Sequence, residues 1–271
     1  MAEEVTTRSM ALYCDFENVA LGVRDAKYAA FDIQKVLERL LLKGNIVVKK
    51  AYCDWERYKE FKAAMHEASF ELIEIPHLRR SGKNSADIRM VVDALDLCYT
   101  KAHVDTFVII SGDSDFSSLV SKLRENDKLV IGVGVKQSTS DLLTSNCDEF
   151  IFYDDLVRAS DKQRQAKRKK TIQKLPAKGV DKSEEDKRQE ALDLLIATVE
   201  DLFDERGEEE KVWGSMVKQA IKRRKPGFNE IYHGFRTFGK LLEAAQDRGL
   251  LELAFDEKSG GYIIKSFALE D

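Results

Sequence analysis

The stretch Val108-Ile-Ile-Ser-Gly-Asp-Ser-Asp-Phe116 decides how the chain is read, because an apolar run passes within two residues into a pair of carboxylates, Asp113 and Asp115. β-Branched residues suit a pleated surface, and a run without polar alternation fits a strand buried on both faces of a parallel sheet. Upstream, Met10-Ala-Leu-Tyr-Cys-Asp15 is a second such run, and it also ends on an acid. Asn45–Cys53, Phe70–Pro76, Thr106–Ser111, Lys128–Gly134 and Glu149–Tyr153 supply the other strands. Between them, Phe16–Gly22 reads as a loop. Asp32 caps a helix to Lys43, with Ile33, Val36, Leu37, Leu40 and Leu41 at helical spacing and Gly44 as its stop. Further helices are expected from Asp54 through Ala68, Ser85 to Lys101, Ser117 to Glu125 and Ser140 to Asn146. Strands alternating with helices imply an α/β domain whose parallel sheet is covered on both faces.

Beyond this region the pattern changes. Residues 159–186 form a basic linker that peaks at Lys167-Arg-Lys-Lys170 and has too few large apolar residues to build a core. Helical periodicity then returns at Gln189–Phe203, Val212–Arg224 and Gly234–Arg248. Leu250–Phe255 and Tyr262–Lys265 alternate like hairpin arms around Lys258-Ser-Gly-Gly261. Three helices and a hairpin predict a second, smaller winged helix-turn-helix domain.

The 271 residues are 43% hydrophobic and 34% charged, with a formal net charge of -4, so the chain as a whole is no generic nucleic-acid coat. No apolar run approaches the roughly 20 residues needed to span a bilayer. Residues 1–8 are polar and partly acidic, unlike a secretory leader, and a cytoplasmic protein with no membrane partner is expected. Cys14, Cys53, Cys98 and Cys147 stand far apart and predict buried free thiols. His66, His77, His103 and His233 are equally scattered, which argues against a histidine-based metal or nucleophile site.

The chemistry therefore rests on acids. Ligands of an open parallel sheet bind at the carboxyl ends of its strands, near the point where strand order reverses. A strand order of 3-2-1-4-5 would make the first and fourth strands neighbours and bring Asp15 and Asp113 together. Asp87 begins the helix between the third and fourth strands, and Asp115 lies two residues past Asp113. Three or four carboxylates with no balancing Lys or Arg would repel one another by several kcal/mol unless a divalent cation sits among them. Oxygen-only donors suit Mg²⁺ or Mn²⁺, which can activate water and stabilise phosphoryl-transfer charge. Asn18 could orient the water or a phosphate oxygen, and Ser111, Ser114 and Thr139 add hydroxyls. Asp32 and Asp54 read as plain helix caps, a role open to Asp113 or Asp115 alone as well. Asp93 and Asp96 lie near Arg89, so a surface ion pair competes with a supporting role, and Glu17 is equally divided between solvent and site. Lys218, Lys222, Arg223, Arg224 and Lys225 form a basic helix end near Tyr232 and Phe235, suited to phosphate contact and base stacking. Phe235, Phe238, Leu241 and Leu242 also fit a plain helical core.

Asp15-Phe-Glu-Asn18, Lys83-Asn-Ser-Ala-Asp87 with Val91-Val-Asp-Ala-Leu95, and Ser111-Gly-Asp-Ser-Asp-Phe116, taken in that order, resemble the signatures of the NYN domain. The likeness is to the LabA-like branch of the PIN-like nuclease superfamily and covers residues 8–158. It implies a Rossmann-like three-layer α/β/α fold and Mg²⁺- or Mn²⁺-dependent cleavage of RNA. It also implies that Asp15, Asp87, Asp113 and Asp115 bind the metal, with Asn18 as the motif asparagine and Lys83 as an RNA contact. Asn84-Ser-Ala departs from the Lys-Gly-Val-like run more common before the acid at position 87. Pro226-Gly-Phe-Asn229, Tyr232-His-Gly-Phe235, Phe238 and Leu241-Leu242 resemble the LOTUS, or OST-HTH, domain over residues 187–267. That likeness implies a winged-helix RNA-binding module.

The resulting expectation is a metal-dependent endoribonuclease to which the C-terminal domain delivers RNA, with homo-oligomerisation compatible. The alternative is a non-catalytic RNA-binding regulator whose acid pocket is a relic or a structural ion site. A D-x-D phosphotransferase is disfavoured, since the first strand carries no D-x-D and the chain has no G-x-x-x-x-G-K-[ST] loop.

Overall fold

In a computed structural model, which describes residues 8–75, 85–161, 184–207 and 210–267, the first strand β1 (Arg8–Asp15) is buried at every position from Met10 to Asp15. Such burial needs cover on both faces, and the alternating side chains show it. Met10, Leu12 and Cys14 pack with Val108, Ile110, Ile131 and Val133 in one core, while Ala11 and Tyr13 pack with Phe107, Ile109 and Val130 in the other.

The elements that follow are α1 (Phe16–Asp25), α2 (Ile33–Lys43), β2 (Gly44–Cys53), α3 (Lys62–Glu67) and β3 (Glu71–Glu74). Next come α4 (Ser85–Thr100), β4 (Thr106–Ile110), α5 (Ser117–Glu125), β5 (Leu129–Gly134), α6 (Asp141–Asn146), β6 (Glu149–Phe152) and a helix over residues 153–161, α7. Val36, Leu37 and Leu40 of α2 close the first core. Met90, Ala94 and Cys98 of α4, with Leu119, Val120 and Leu123 of α5, close the second. All six strands are parallel, in the order β3-β2-β1-β4-β5-β6. The expected order is present, with β6 added at the edge. The chain winds outward from β1 in one direction and from β4 in the other, which opens a crevice at the carboxyl ends of these two neighbours.

Two expectations are corrected. Phe16–Gly22 is helix rather than loop: the Asp15 carboxylate caps α1, and Phe16, Val19 and Val23 recur at a helical spacing that buries them. The helix expected from Asp54 breaks into a turn, a short 3₁₀ segment (Lys59–Phe61) and α3. Trp55 is the cause, since its backbone N–H donates to Glu74 and its indole N–H to the Ile73 carbonyl, pinning it to the sheet edge. Three cysteines are buried, Cys147 is partly so, and all four are free.

The described residues divide into two compact units, 8–161 and 184–267. The second holds α8 (Glu184–Arg206), β7 (Val212–Trp213), α9 (Gly214–Arg224), α10 (Phe238–Asp247), β8 (Leu251–Asp256) and β9 (Gly261–Phe267), with an antiparallel sheet ordered β7-β9-β8. Leu195, Val199, Val217, Ile221, Leu241 and Ile264 are buried here. The third helix begins at Phe238 rather than Gly234, because Gly234 takes a positive φ of 79° and Thr237 caps the helix through the Lys240 N–H. Most of the basic linker lies outside the described residues. Among the described residues no helix is long and apolar enough to cross a membrane.

Candidate active site

The carboxyl ends of β1 and β4 are tied together by a short hydrogen-bonded path. Asp15 ends β1 and caps α1, accepting the Asn18 N–H at 3.4 Å. The Ser111 hydroxyl donates to its other oxygen at 3.1 Å and itself accepts the Asp113 N–H at 3.2 Å. Asn18 returns the link, its side-chain oxygen accepting the Gly112 N–H at 2.9 Å. Asp113 then caps the turn Ser114–Phe116 by accepting the Asp115 N–H at 3.0 Å. Capping does not take these acids away from the sheet edge, since each cap fixes a carboxylate where β1 and β4 end.

Electrostatics joins Asp87 to this path. Its carboxyl, half-buried in the first turn of α4, is raised to about 6 by burial and then by Asp113 and Asp115. Asp15 is raised to about 7, first by burial and then by Asp87, with a smaller push from Asp113 and opposing hydrogen bonds from Asn18 and Ser111. These acids, distant in sequence, thus feel one another in space. Among the described residues no three carboxylate, histidine or cysteine side chains form a ready-made ion cage. The acids are coupled without being contracted around a common point. The donor set fits a hard divalent cation nonetheless: it is all oxygen, and its buried member holds its proton toward neutrality through burial and then the repulsion of its neighbours.

A loop after β5 supports the edge from the other side. The Ser140 N–H donates to the Gly112 carbonyl at 2.9 Å, and Gly112 passes so close to Ser138 that a Cβ there would strike its backbone oxygen. The Thr139 hydroxyl is spent within this loop, donating to Val135 at 2.7 Å. Glu17, left open by the sequence, accepts from Arg57 at 3.1 Å and from the Tyr58 hydroxyl at 3.5 Å. The Glu17–Arg57 pair escaped sequence reasoning because its members lie on different elements with no helical or strand spacing between them.

Asp93 belongs to another network. It accepts from the Tyr52 hydroxyl at 2.8 Å, Arg89 at 3.1 Å and Lys50 at 3.3 Å, while its backbone carbonyl takes the Tyr13 hydroxyl. Burial pushes its carboxyl up, but these bonds outweigh burial and hold it below the ordinary range. It locks α4 onto β1 and β2.

Lys83 lies outside the described residues. On the second unit, Lys218 pairs with Glu230 at 2.9 Å and Arg224 with Asp201 at 2.5 Å. Arg223 is half-buried and reaches Gln219 at 3.4 Å, whereas Lys222 is exposed. Phe235, Phe238, Leu241 and Leu242 are core, but Tyr232 is exposed, with the Lys187 ammonium 4.9 Å from its ring centre.

The family model described as NYN domain matches residues 9–155. An uncharacterized protein of Methanocaldococcus jannaschii is 26% identical over 159 residues, 59% of this chain and 63% of that protein, so the chain spans a little under two thirds of that relative's length. The crystal structure of a protein of unknown function from Vibrio parahaemolyticus is 27% identical, with a TM-score of 0.49, and the match covers 55% of this chain and 95% of the other.

Proposed function

Because the chain belongs to the NYN domain family over residues 9–155, part of the PIN-like nuclease superfamily, we propose that it is an endoribonuclease acting at the crevice between β1 and β4. The observation that carries this reading is the mutual coupling of acids drawn from separate stretches, with burial and Asp87 acting on Asp15, and burial, Asp113 and Asp115 acting on Asp87. A folded protein rarely keeps like charges together without a use for their field.

Asp15, Asp87, Asp113 and Asp115 would hold Mg²⁺ or Mn²⁺, which when bound supplies Lewis-acid stabilisation of charge on the phosphoryl oxygens. The protein's own groups do the positioning. Asn18 and Ser111 fix the β1 and β4 ends to each other, so the carboxylates on either side keep one geometry while the substrate phosphate enters. The Asp113 cap uses one carboxylate oxygen on the Asp115 N–H, which fixes the carboxylate at the start of the turn. On the C-terminal unit, read as LOTUS-like, exposed Lys222 contacts phosphate, and the exposed face of Tyr232 with Lys187 above it suits a stacked base.

The competing reading, a regulator that binds RNA without cutting it, draws on the lack of a ready-made ion cage among the described residues. Labelled single-stranded and structured RNAs incubated with the purified chain separate the two. Cleavage that needs Mg²⁺ or Mn²⁺ and disappears in the Asp113→Asn, Asp115→Asn double variant is the expected result. Binding without cleavage, or cleavage that survives in the double variant, would refute the nuclease.

A further inference from the structure

Helix α4 carries a second surface on the side away from its core. Among the described residues of the first unit, the exposed large apolar side chains are Val47, Ile88, Val92, Tyr99, Leu129 and Leu142, and half of them lie on this helix. Ile88 is 62% exposed, Val92 55% and Tyr99 64%. At about 100° per residue, the three fall within roughly 40° of one another and form a single stripe. Leu95, half-buried, borders the stripe on one flank, and Arg89 and Asp96 line the other. An open groove bounded by Ser85, Ile88, Arg89, Val92, Asp93 and Asp96 runs beside it.

The charge pattern specifies what fits. Arg89 and Asp96 are seven residues apart, two turns along one flank. When a helix packs antiparallel against its own copy about a two-fold axis, each flank meets the same flank of the copy in reverse order. Arg89 then faces the copy's Asp96, and Asp96 faces its Arg89. The axis passes beside Val92, Ile88 falls between the copy's Leu95 and Tyr99, and Tyr99 reaches the groove at the copy's Ser85 and Ile88. A parallel arrangement would set the two flanks against each other and lose both ion pairs. We propose that the chain forms a two-fold dimer through antiparallel packing of α4 against α4 of a second copy. The dimer is independent of the catalytic reading, because Asp87 lies on the buried side of the helix and the Arg89–Asp93 bond can be shared with the copy's Asp96.

A single helix pair sits at the low end of stable interfaces, near or below ~1,200 Å², so a dissociation constant of order micromolar is expected. Sedimentation equilibrium on the full chain up to ~100 μM reads it directly. The wild type should dimerise. Val92→Arg should be monomeric, with a melting temperature equal to that of the wild type at concentrations well below the dimer's dissociation constant. Arg89→Glu and Asp96→Lys should each weaken the dimer by about tenfold or more, since each homodimer sets like charges opposite each other twice. Mixing these two variants should restore association, because the mixed dimer pairs Glu with Lys and Asp with Arg, a recovery that misfolding cannot produce. A monomeric wild type, a dimer that persists in Val92→Arg, or a mixture no tighter than its components would overturn the proposal.

Discussion

Asp15 serves the local fold and the site in opposing senses. The Asn18 N–H and the Ser111 hydroxyl favour its carboxylate, but burial and the neighbouring Asp87 and Asp113 win, leaving a pKa of about 7 against an ordinary 3.8. A carboxyl whose folded pKa is raised keeps its proton longer in the folded state, so the stability it contributes is complete below its unfolded value and is lost as pH rises through the folded one. Without divalent cations the chain is therefore expected to lose stability between about pH 4 and pH 7. Asp15→Asn keeps an oxygen acceptor without the charge, and in chelator it is expected to stabilise the fold by roughly 4 kcal/mol at neutral pH and by little near pH 3. Urea unfolding at the two pH values checks both, and a destabilised Asp15→Asn at neutral pH would show that the charge is not a burden. Asp93 should behave in the opposite way. Removing it strands the Tyr52 hydroxyl and leaves Lys50 with only the longer Glu71 pair at 3.8 Å, so Asp93→Ala is expected to cost about 2 to 3 kcal/mol, measured by the same unfolding. Its role was illegible in the sequence, where Arg89 is the evident partner at helical spacing and Tyr52 and Lys50 are remote.

At the scale of elements, most of the sheet was legible because β1, β4 and β5 carry unbroken apolar runs and α2 has a visible cap in Asp32. Asp32 and Gly44 bracket α2 as the sequence suggested, and Gly44 is required because a Cβ there would come within 2.5 Å of the Arg8 backbone oxygen. What failed was local structure set by distant partners. The helix expected after Asp54 is undone by Trp55 bonding to β3, and α1 was obscured by Gly22, which looked like a loop residue but is buried against Ser138. The candidate site was legible as a set of acids, and the Ser111 and Asn18 bridges between them depend on a strand pairing that only the fold supplies. Gly112 tests how far the edge tolerates change. Gly112→Ala must push back the Ser138 carbonyl, so a loss of about 1 to 3 kcal/mol is expected, with RNA cleavage falling further than stability alone explains. Thermal melts run beside cleavage assays would separate the two effects, and an unchanged cleavage rate would mean that the loop after β5 does not set the geometry of the acids.

The whole molecule combines an acidic sheet edge in one unit with exposed cationic and aromatic groups on another. If the second unit contributes phosphate contacts, RNA affinity should fall steeply with salt, and Lys222→Ala should reduce the logarithmic salt slope by about 0.7 on single strands, as read from fluorescence anisotropy titrations. An unchanged slope would remove Lys222 from the interface. The proposed nuclease site is a property of the complete fold, since Asp15 and Asp113 are joined where β1 meets β4. Carboxylates that act as one unit give strongly non-additive losses. The most direct test is therefore the initial rate of RNA cleavage by the full chain, measured for Asp15→Asn, Asp113→Asn and the two combined in Mg²⁺ or Mn²⁺. A shared site predicts that each single change lowers the rate by about a thousandfold and that the combination costs no more than about tenfold beyond either. A single variant that retains activity near wild type, or losses that multiply in full, would contradict it.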